Sequence, residues 1–77
     1  MAVTGREFVD RCARALGVEP PSDAEVDALL ALAGAAAHAS ERIAAPLTCW
    51  LAGRWGASPA EALEKVRAVA QRLEEES

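Results

Sequence analysis

The chain has 77 residues, which leaves room for one hydrophobic core, so we predict a single domain over residues 1–77. Its formal net charge of −4 at pH 7, without a segregated basic face, repels phosphate backbones and argues against nucleic-acid binding. No apolar run approaches the roughly 18 residues that cross a bilayer, and the first residues lack a secretion signal. We therefore expect a cytoplasmic protein that does not bind membranes.

The first predicted helix begins at Thr4, because Thr4 lies three residues before Glu7 and the two can form a capping box. Gly17 is expected to end the helix in the left-handed conformation. The apolar residues between them recur at three- and four-residue steps and predict one buried face, made of Phe8, Val9, Cys12, Ala13 and Leu16.

The second predicted helix follows Pro20 and Pro21, which prevent the first helix from continuing, and starts with a capping box of Ser22 and Glu25. Its apolar stripe comprises Val26, Leu29, Leu30, Ala33 and Ala37. The small side chains of residues 33–37 allow another helix to approach closely, either within the chain or from a second copy. A homodimer is therefore compatible with this sequence.

The third predicted helix contains Pro46 in its first turn, where the missing N–H of proline has no cost. Gly56 precedes Ser58 and Pro59 and is expected to end the helix. We expect the apolar residues of this helix to face the core, namely Leu47, Trp50, Leu51 and Gly53.

A third capping box, Ser58 with Glu61, starts the fourth predicted helix. Its apolar residues continue at helical spacing to an acidic tail, and they are Leu63, Val66, Val69 or Ala70, and Leu73. The chain shows no strand pattern. Four helices joined by short turns predict an all-α fold, a compact bundle of four short helices.

Few residues of this chain can carry chemistry. Cys12 and Cys49 lie in apolar helical patterns, which predicts reduced, buried thiols and leaves a disulfide as the alternative. A helix start would lower the pKa of the Cys49 thiol, whereas burial beside Trp50 and Leu51 would leave it inert. With His38 as the single histidine, the chain lacks the ligands of a zinc site and the partners of an acid–base mechanism. We therefore predict no metal, no cofactor and no enzymatic activity.

One candidate binding site lies at the junction of the second and third predicted helices. His38 and Arg42 are four residues apart, so their side chains share a face if the second helix extends to Arg42. The first N–H groups of the third helix, near Leu47 and Thr48, would lack partners. Together His38, Arg42 and Thr48 would hold a phosphate or a carboxylate. In the structural alternative, Thr48 satisfies the helix start, Arg42 pairs with an acidic residue and His38 bonds to a carbonyl.

The two tryptophans, Trp50 and Trp55, are five residues apart and point in different directions from a helix. We expect Trp50 in the core. Trp55 lies beside Arg54 nearer the edge, where it either contacts a partner or covers the core. Arg54 and Trp55 are our candidates for partner contact.

Residues 36–53 resemble an uncharacterised family of small helical domains, mainly actinobacterial. The family pattern has an Ala-His pair, an Arg-Pro step, the run Ala-Ala-Pro-Leu-Thr and a Leu-x-Gly segment. Here these fall on Ala37-His38, Arg42-Ile43, residues 44–48 and residues 51–53, with Ile43 in place of the proline. The similarity covers nearly the whole chain. Members of the family occur alone or fused behind molybdenum cofactor guanylyltransferases, the enzymes that join GMP to molybdopterin.

This resemblance implies an accessory role near the synthesis or delivery of molybdopterin guanine dinucleotide, and two hypotheses follow. In the first, the domain is a non-catalytic interaction module that contacts a guanylyltransferase or a molybdoenzyme through the helix surface around Trp55. In the second, it binds a small anionic ligand, such as a nucleotide or a pterin phosphate, with His38, Arg42 and Thr48.

Overall fold

Four α-helices make up the fold in the computed structural model, which describes residues 2–76: α1 (Gly5–Leu16), α2 (Asp23–Ala39), α3 (Ala44–Trp55) and α4 (Pro59–Glu76). The described part of the chain contains no strand, so the predicted all-α bundle is confirmed. Residues 1 and 77 of the predicted domain lie outside the described residues. Between residues 2 and 76, every helix is too short or too polar to cross a membrane.

All three predicted capping boxes are present. At the start of α1, the Glu7 backbone N–H donates to Thr4 Oγ1 at 3.1 Å, and the Thr4 N–H donates to Glu7 Oε1 at 3.3 Å. The same pair of bonds starts α2 at Ser22 and α4 at Ser58. Since the first N–H groups of a helix have no partner inside it, these local bonds fix where the helices begin.

Two glycines end helices in the left-handed conformation, which we predicted for Gly17. Gly17 has φ 72° and Gly56 has φ 84°, values that cost a residue with a Cβ atom about 1 kcal/mol or more. After α1, the Gly17 N–H donates to the Arg14 carbonyl at 3.2 Å and the Val18 N–H donates to the Ala13 carbonyl at 2.9 Å. This pattern is a Schellman motif, which satisfies the last carbonyls of the helix.

The junction between α2 and α3 has no comparable cap. Helix α2 ends at Ala39, and Ser40 follows with φ −141° and ψ −101°. Helix α3 then starts at Ala44 with Pro46 in its first turn, as predicted, and within the described residues no side chain bonds to its N-terminus at Ile43. The chain reverses here within residues 40–43.

Helix α2 is the centre of the packed part of the molecule and contacts both α3 and α4. Leu32 of α2 is fully buried against two buried alanines, Ala52 of α3 and Ala62 of α4. Cys49, Leu63 and Val66 pack around this cluster and are partly buried. The core therefore depends on one large side chain surrounded by small ones, which allow the helices to approach closely.

Helix α1 lies apart from this core. Within residues 2–76, no Cα atom of α1 is within 8 Å of a Cα atom of α2, α3 or α4. The polar link is from Arg6, whose guanidinium donates to Asp23 at 2.9 Å and to the Pro21 carbonyl at 3.5 Å. The radius of gyration is 13.7 Å, against about 11.5 Å for a compact domain of this length. The molecule is elongated as a result, with extents of 45 × 28 × 18 Å.

Several side chains that we expected inside are on the surface. On α1, Phe8 is 59% exposed and Leu16 is 76% exposed, because no other helix covers the face that they form. On α2, Leu30 is 68% exposed and the buried position is Leu32 instead. On α4, Val69 and Leu73 are also exposed, whereas Ala70 is half-buried. The periodicity predicted the helices correctly and their inward faces only in part. Ala13 of α1 is buried as predicted. Four of the five residues predicted for the α2 stripe are half-buried, namely Val26, Leu29, Ala33 and Ala37.

Candidate interaction surface

The exposed side of α3 carries the largest group of apolar side chains on any one helix. We call this group the α3 surface, and it consists of Ile43, Leu47, Trp50, Leu51 and Trp55. Each of these side chains is between 51% and 64% exposed. Our prediction that Leu47, Trp50 and Leu51 face the core is therefore wrong.

The cause is the register of α3 against α2. Cys49 and Ala52, three residues apart, are the α3 residues that join the core around Leu32. Successive side chains on a helix are rotated by about 100° around its axis. Because the small residues Cys49 and Ala52 face α2, Trp50 and Leu51 therefore point outward. Small residues permit α2 and α3 to approach closely, and the large side chain of Trp50 does not fit between the two helices.

Arg54 completes the α3 surface with a charged group. Its guanidinium lies over the Trp50 ring, 4.8 Å from the ring centroid. A cation–π contact of this kind is worth about 0.5–1 kcal/mol when it is exposed. The spacing of four residues between Trp50 and Arg54 could have revealed the pair, because such residues are neighbours on a helix. We did not predict the contact between Trp50 and Arg54 because we expected Trp50 in the core.

An apolar groove of about 610 Å³ lies between α2, α3 and α4, next to the α3 surface. Its base is formed by the buried alanines Ala36, Ala52 and Ala62. Larger side chains form its walls, and they include Thr48, Leu51 and Trp55 of α3 and Val66, Val69 and Leu73 of α4. The groove is open because alanines occupy the positions where three helices meet and leave that space unfilled.

The three residues of the predicted anion site occupy different places. His38 is exposed and lines a second cavity of about 480 Å³ together with Leu73 and Glu74 of α4. Thr48 lines the apolar groove. Arg42 is exposed in the turn between α2 and α3 and lines neither of these two cavities. No single cavity described here contains all three side chains.

The two geometric conditions for that anion site are not met. Helix α2 ends at Ala39, so the helical spacing expected to align His38 with Arg42 does not apply. Helix α3 begins before Pro46, and the N–H groups of Ala44 and Ala45 already donate to the carbonyls of Glu41 and Arg42 at 3.0 and 3.2 Å. Residues 47 and 48 are the fourth and fifth of the helix, where N–H groups bond to carbonyls of the preceding turn.

Both cysteines are free thiols. Cys49 is half-buried in the core around Leu32, and desolvation by burial raises the pKa of its thiol. This direction opposes thiolate formation, so the burial alternative fits Cys49 better than the reactive one. Among residues 2–76, no group of three or more His, Cys, Asp or Glu side chains is placed to hold a metal ion.

The fold and this surface define a small all-helical domain that carries most of its large apolar side chains on the outside. The chain belongs to the family described as Domain of unknown function (DUF6457), whose sequence model matches residues 2–77. An uncharacterised domain family is what the resemblance of residues 36–53 led us to expect. Comparisons with curated proteins and with solved structures gave no match.

Proposed function

We propose that this domain is a non-catalytic interaction module that docks onto a molybdenum cofactor guanylyltransferase or a molybdoenzyme through the α3 surface. The observation that carries the proposal is the exposure of four large apolar side chains on one short helix and of Ile43 at its N-cap, with Arg54 stacked over Trp50. Large apolar patches on small domains are typical of interaction sites, because leaving them in water is unfavourable.

The composition of the α3 surface suits a protein partner. Tryptophan and arginine are the residues most often found at the energetic centres of interfaces, and leucine and isoleucine supply apolar area around them. The stacked Arg54 restricts the Trp50 side chain before binding, which reduces the entropy lost on association. We place Arg54 within the docking surface and Trp55 at its boundary with the groove.

The identity of the partner rests on the resemblance of residues 36–53. That segment includes the end of α2 and most of α3, so the residues that carry the resemblance also build the exposed surface. A family of domains that occurs fused to guanylyltransferases fits a module that works in contact with those enzymes.

Binding of a small anion has less support. His38 lines the second cavity whereas Arg42 lines neither cavity, and the backbone N–H groups at the start of α3 have carbonyl partners. The groove, where Thr48 lies, is lined mostly by apolar side chains with one cation, Lys65, so most of its surface suits an apolar side chain better than a phosphate. We therefore favour the interaction module over the ligand-binding protein.

Isothermal titration calorimetry of the domain into a purified guanylyltransferase, and separately into a molybdoenzyme, tests the proposal. We expect saturable binding to one of them, weakened about 30-fold or more by Trp50→Ala, the loss typical of a residue at the centre of an interface. Leu30→Ala is the matched control, because Leu30 is as exposed as Trp50 but lies on α2. Arg54→Ala should weaken binding less.

Circular dichroism of each variant shows whether the fold is retained. Absence of binding to both enzymes would contradict the proposed partner. Binding that Trp50→Ala and Leu30→Ala leave equally strong would show that the α3 surface is not where the partner docks.

A further inference from the structure

Among the described residues 2–76, two apolar features face solvent in the single molecule. The first is the α1 stripe, which consists of the exposed Phe8, Val9 and Leu16 and the half-buried Cys12. The second is the groove between α2, α3 and α4. The stripe is a ridge on a free helix, whereas the groove is a space between three helices that small residues leave open.

We propose that two copies of this chain form a dimer in which α1 of each copy lies in the groove of the other. The α1 stripe spans about 12 Å from Phe8 to Leu16 at 1.5 Å per residue. The α4 wall of the groove, from Ala62 to Leu73, spans about 16 Å on the same basis. The apolar part of α1 therefore fits within the length of the groove.

Charge favours the same pairing. Helix α1 carries three arginines against two acidic residues, a net charge of +1. Residues 23–76 carry nine acidic residues against five lysines and arginines, a net charge of −4, although the charged residue in the groove lining is Lys65. A basic helix approaching an acidic bundle gains from long-range attraction, whereas two acidic bundles placed face to face would repel each other.

The position of α1 favours docking onto a second copy over docking onto its own bundle. The Arg6–Asp23 ion pair holds α1 at the N-terminal end of α2, and the nearest α2 residue of the groove, Ala36, is about 20 Å further along that helix. The six residues 17–22 reach about 20 Å when fully extended. Docking within one chain would therefore break the ion pair and unfold the Gly17 turn, and docking onto a second copy requires neither change.

Two-fold symmetry gives such a pair two identical contacts. A stable interface buries about 1,200–2,000 Å² in total. One 12-residue helix in one groove covers only a small part of the 6059 Å² of accessible surface of the chain. The reciprocal contact doubles the buried area without any new residue. The reciprocal contact also covers Phe8 and Leu16, which are exposed to water in the monomer. These large side chains fill the groove that the small residues of the core leave open.

Sedimentation equilibrium of the full chain tests the dimer. We expect the 8.1 kDa chain to sediment at twice its mass, and Phe8→Asp or Val69→Asp to sediment as a monomer. Phe8 is on the α1 stripe and Val69 is on the groove wall, and both are more than half exposed, so a charge there does not disturb the fold of one copy. Leu30→Asp, at a 68% exposed site on neither surface, should remain a dimer.

A mixture of the two monomeric variants gives the sharper test. The intact α1 of the Val69→Asp chain can still dock into the intact groove of the Phe8→Asp chain, so the mixture should recover a heterodimer that neither variant forms alone. A monomeric wild-type chain up to millimolar concentration would overturn the proposal. It would also be overturned if the wild-type dimer survived both changes, or if it were lost in Trp50→Asp alone, which would assign the interface to the α3 surface.

Discussion

Helix α1 and the bundle of α2, α3 and α4 are held in shape by different interactions. Helix α1 has a capping box at one end and a Schellman motif at the other, but within residues 2–76 no Cα atom of another helix comes within 8 Å of its own Cα atoms. The bundle has an irregular junction at residues 40–43, yet its helices meet around Leu32. Local bonds define the ends of a helix, whereas packing determines where the helix lies, and isolated helices of about 12 residues are only marginally stable.

The largest effect we expect comes from removing the central side chain of the bundle. Leu32→Ala should lower the free energy of unfolding by about 2–5 kcal/mol, because it leaves a cavity where α2, α3 and α4 meet. A domain of this size has little stability to lose, so the variant should be largely unfolded. Chemical denaturation followed by circular dichroism measures the change.

Leu30→Ala on the same helix is the matched control for that experiment. Leu30 is 68% exposed, so we expect a change within about 0.5 kcal/mol. Equal losses for Leu30→Ala and Leu32→Ala would mean that the bundle is not organised around Leu32.

Removing a helix cap should have an intermediate effect on the free energy of unfolding, and the effect should differ between α2 and α1. Ser22→Ala removes the cap of α2 and should lower the free energy of global unfolding by about 1 kcal/mol. Thr4→Ala removes the equivalent bond from α1, and we expect it to speed amide exchange within α1 while leaving global unfolding nearly unchanged. Both are measured at low chain concentration, where association contributes least.

A loss of global stability in Thr4→Ala as large as that in Ser22→Ala would contradict this difference. It would mean that α1 folds cooperatively with the bundle even in one copy, despite the distance between them.

The smallest effect should come from the ion pair that joins the two regions. Arg6→Ala should change the free energy of unfolding by less than about 0.5 kcal/mol, because Asp23 is 93% exposed and water screens the pair. In the monomeric Val69→Asp background, it should nevertheless let α1 tumble more independently of the bundle, as measured by nitrogen-15 relaxation. Arg11→Ala, at another exposed arginine of α1, serves as the control and should leave the tumbling as it is. Identical relaxation in both variants would show that Arg6 does not hold α1 in place.

Much of the site could not be predicted from the sequence, and Trp50 shows why. Its large apolar ring indicated a core position, but the inward face of α3 is made of Cys49 and Ala52, which are small enough for a close approach to α2. The helical spacing alone allowed either face to be buried. One assumption behind the predicted anion site was wrong for a related reason, since α2 was expected to continue to Arg42, whereas the helix ends at Ala39.

The sequence by itself determined the four helices, the three capping boxes and the two glycines that end α1 and α3, because these features depend on bonds between residues three to five positions apart. Only the tertiary structure decided which faces are buried, that α1 stands apart from the bundle, and that Trp50 and its neighbours lie outside. Those outcomes depend on how closely helices distant in sequence can approach, and in an alanine-rich chain several arrangements satisfy the same apolar pattern.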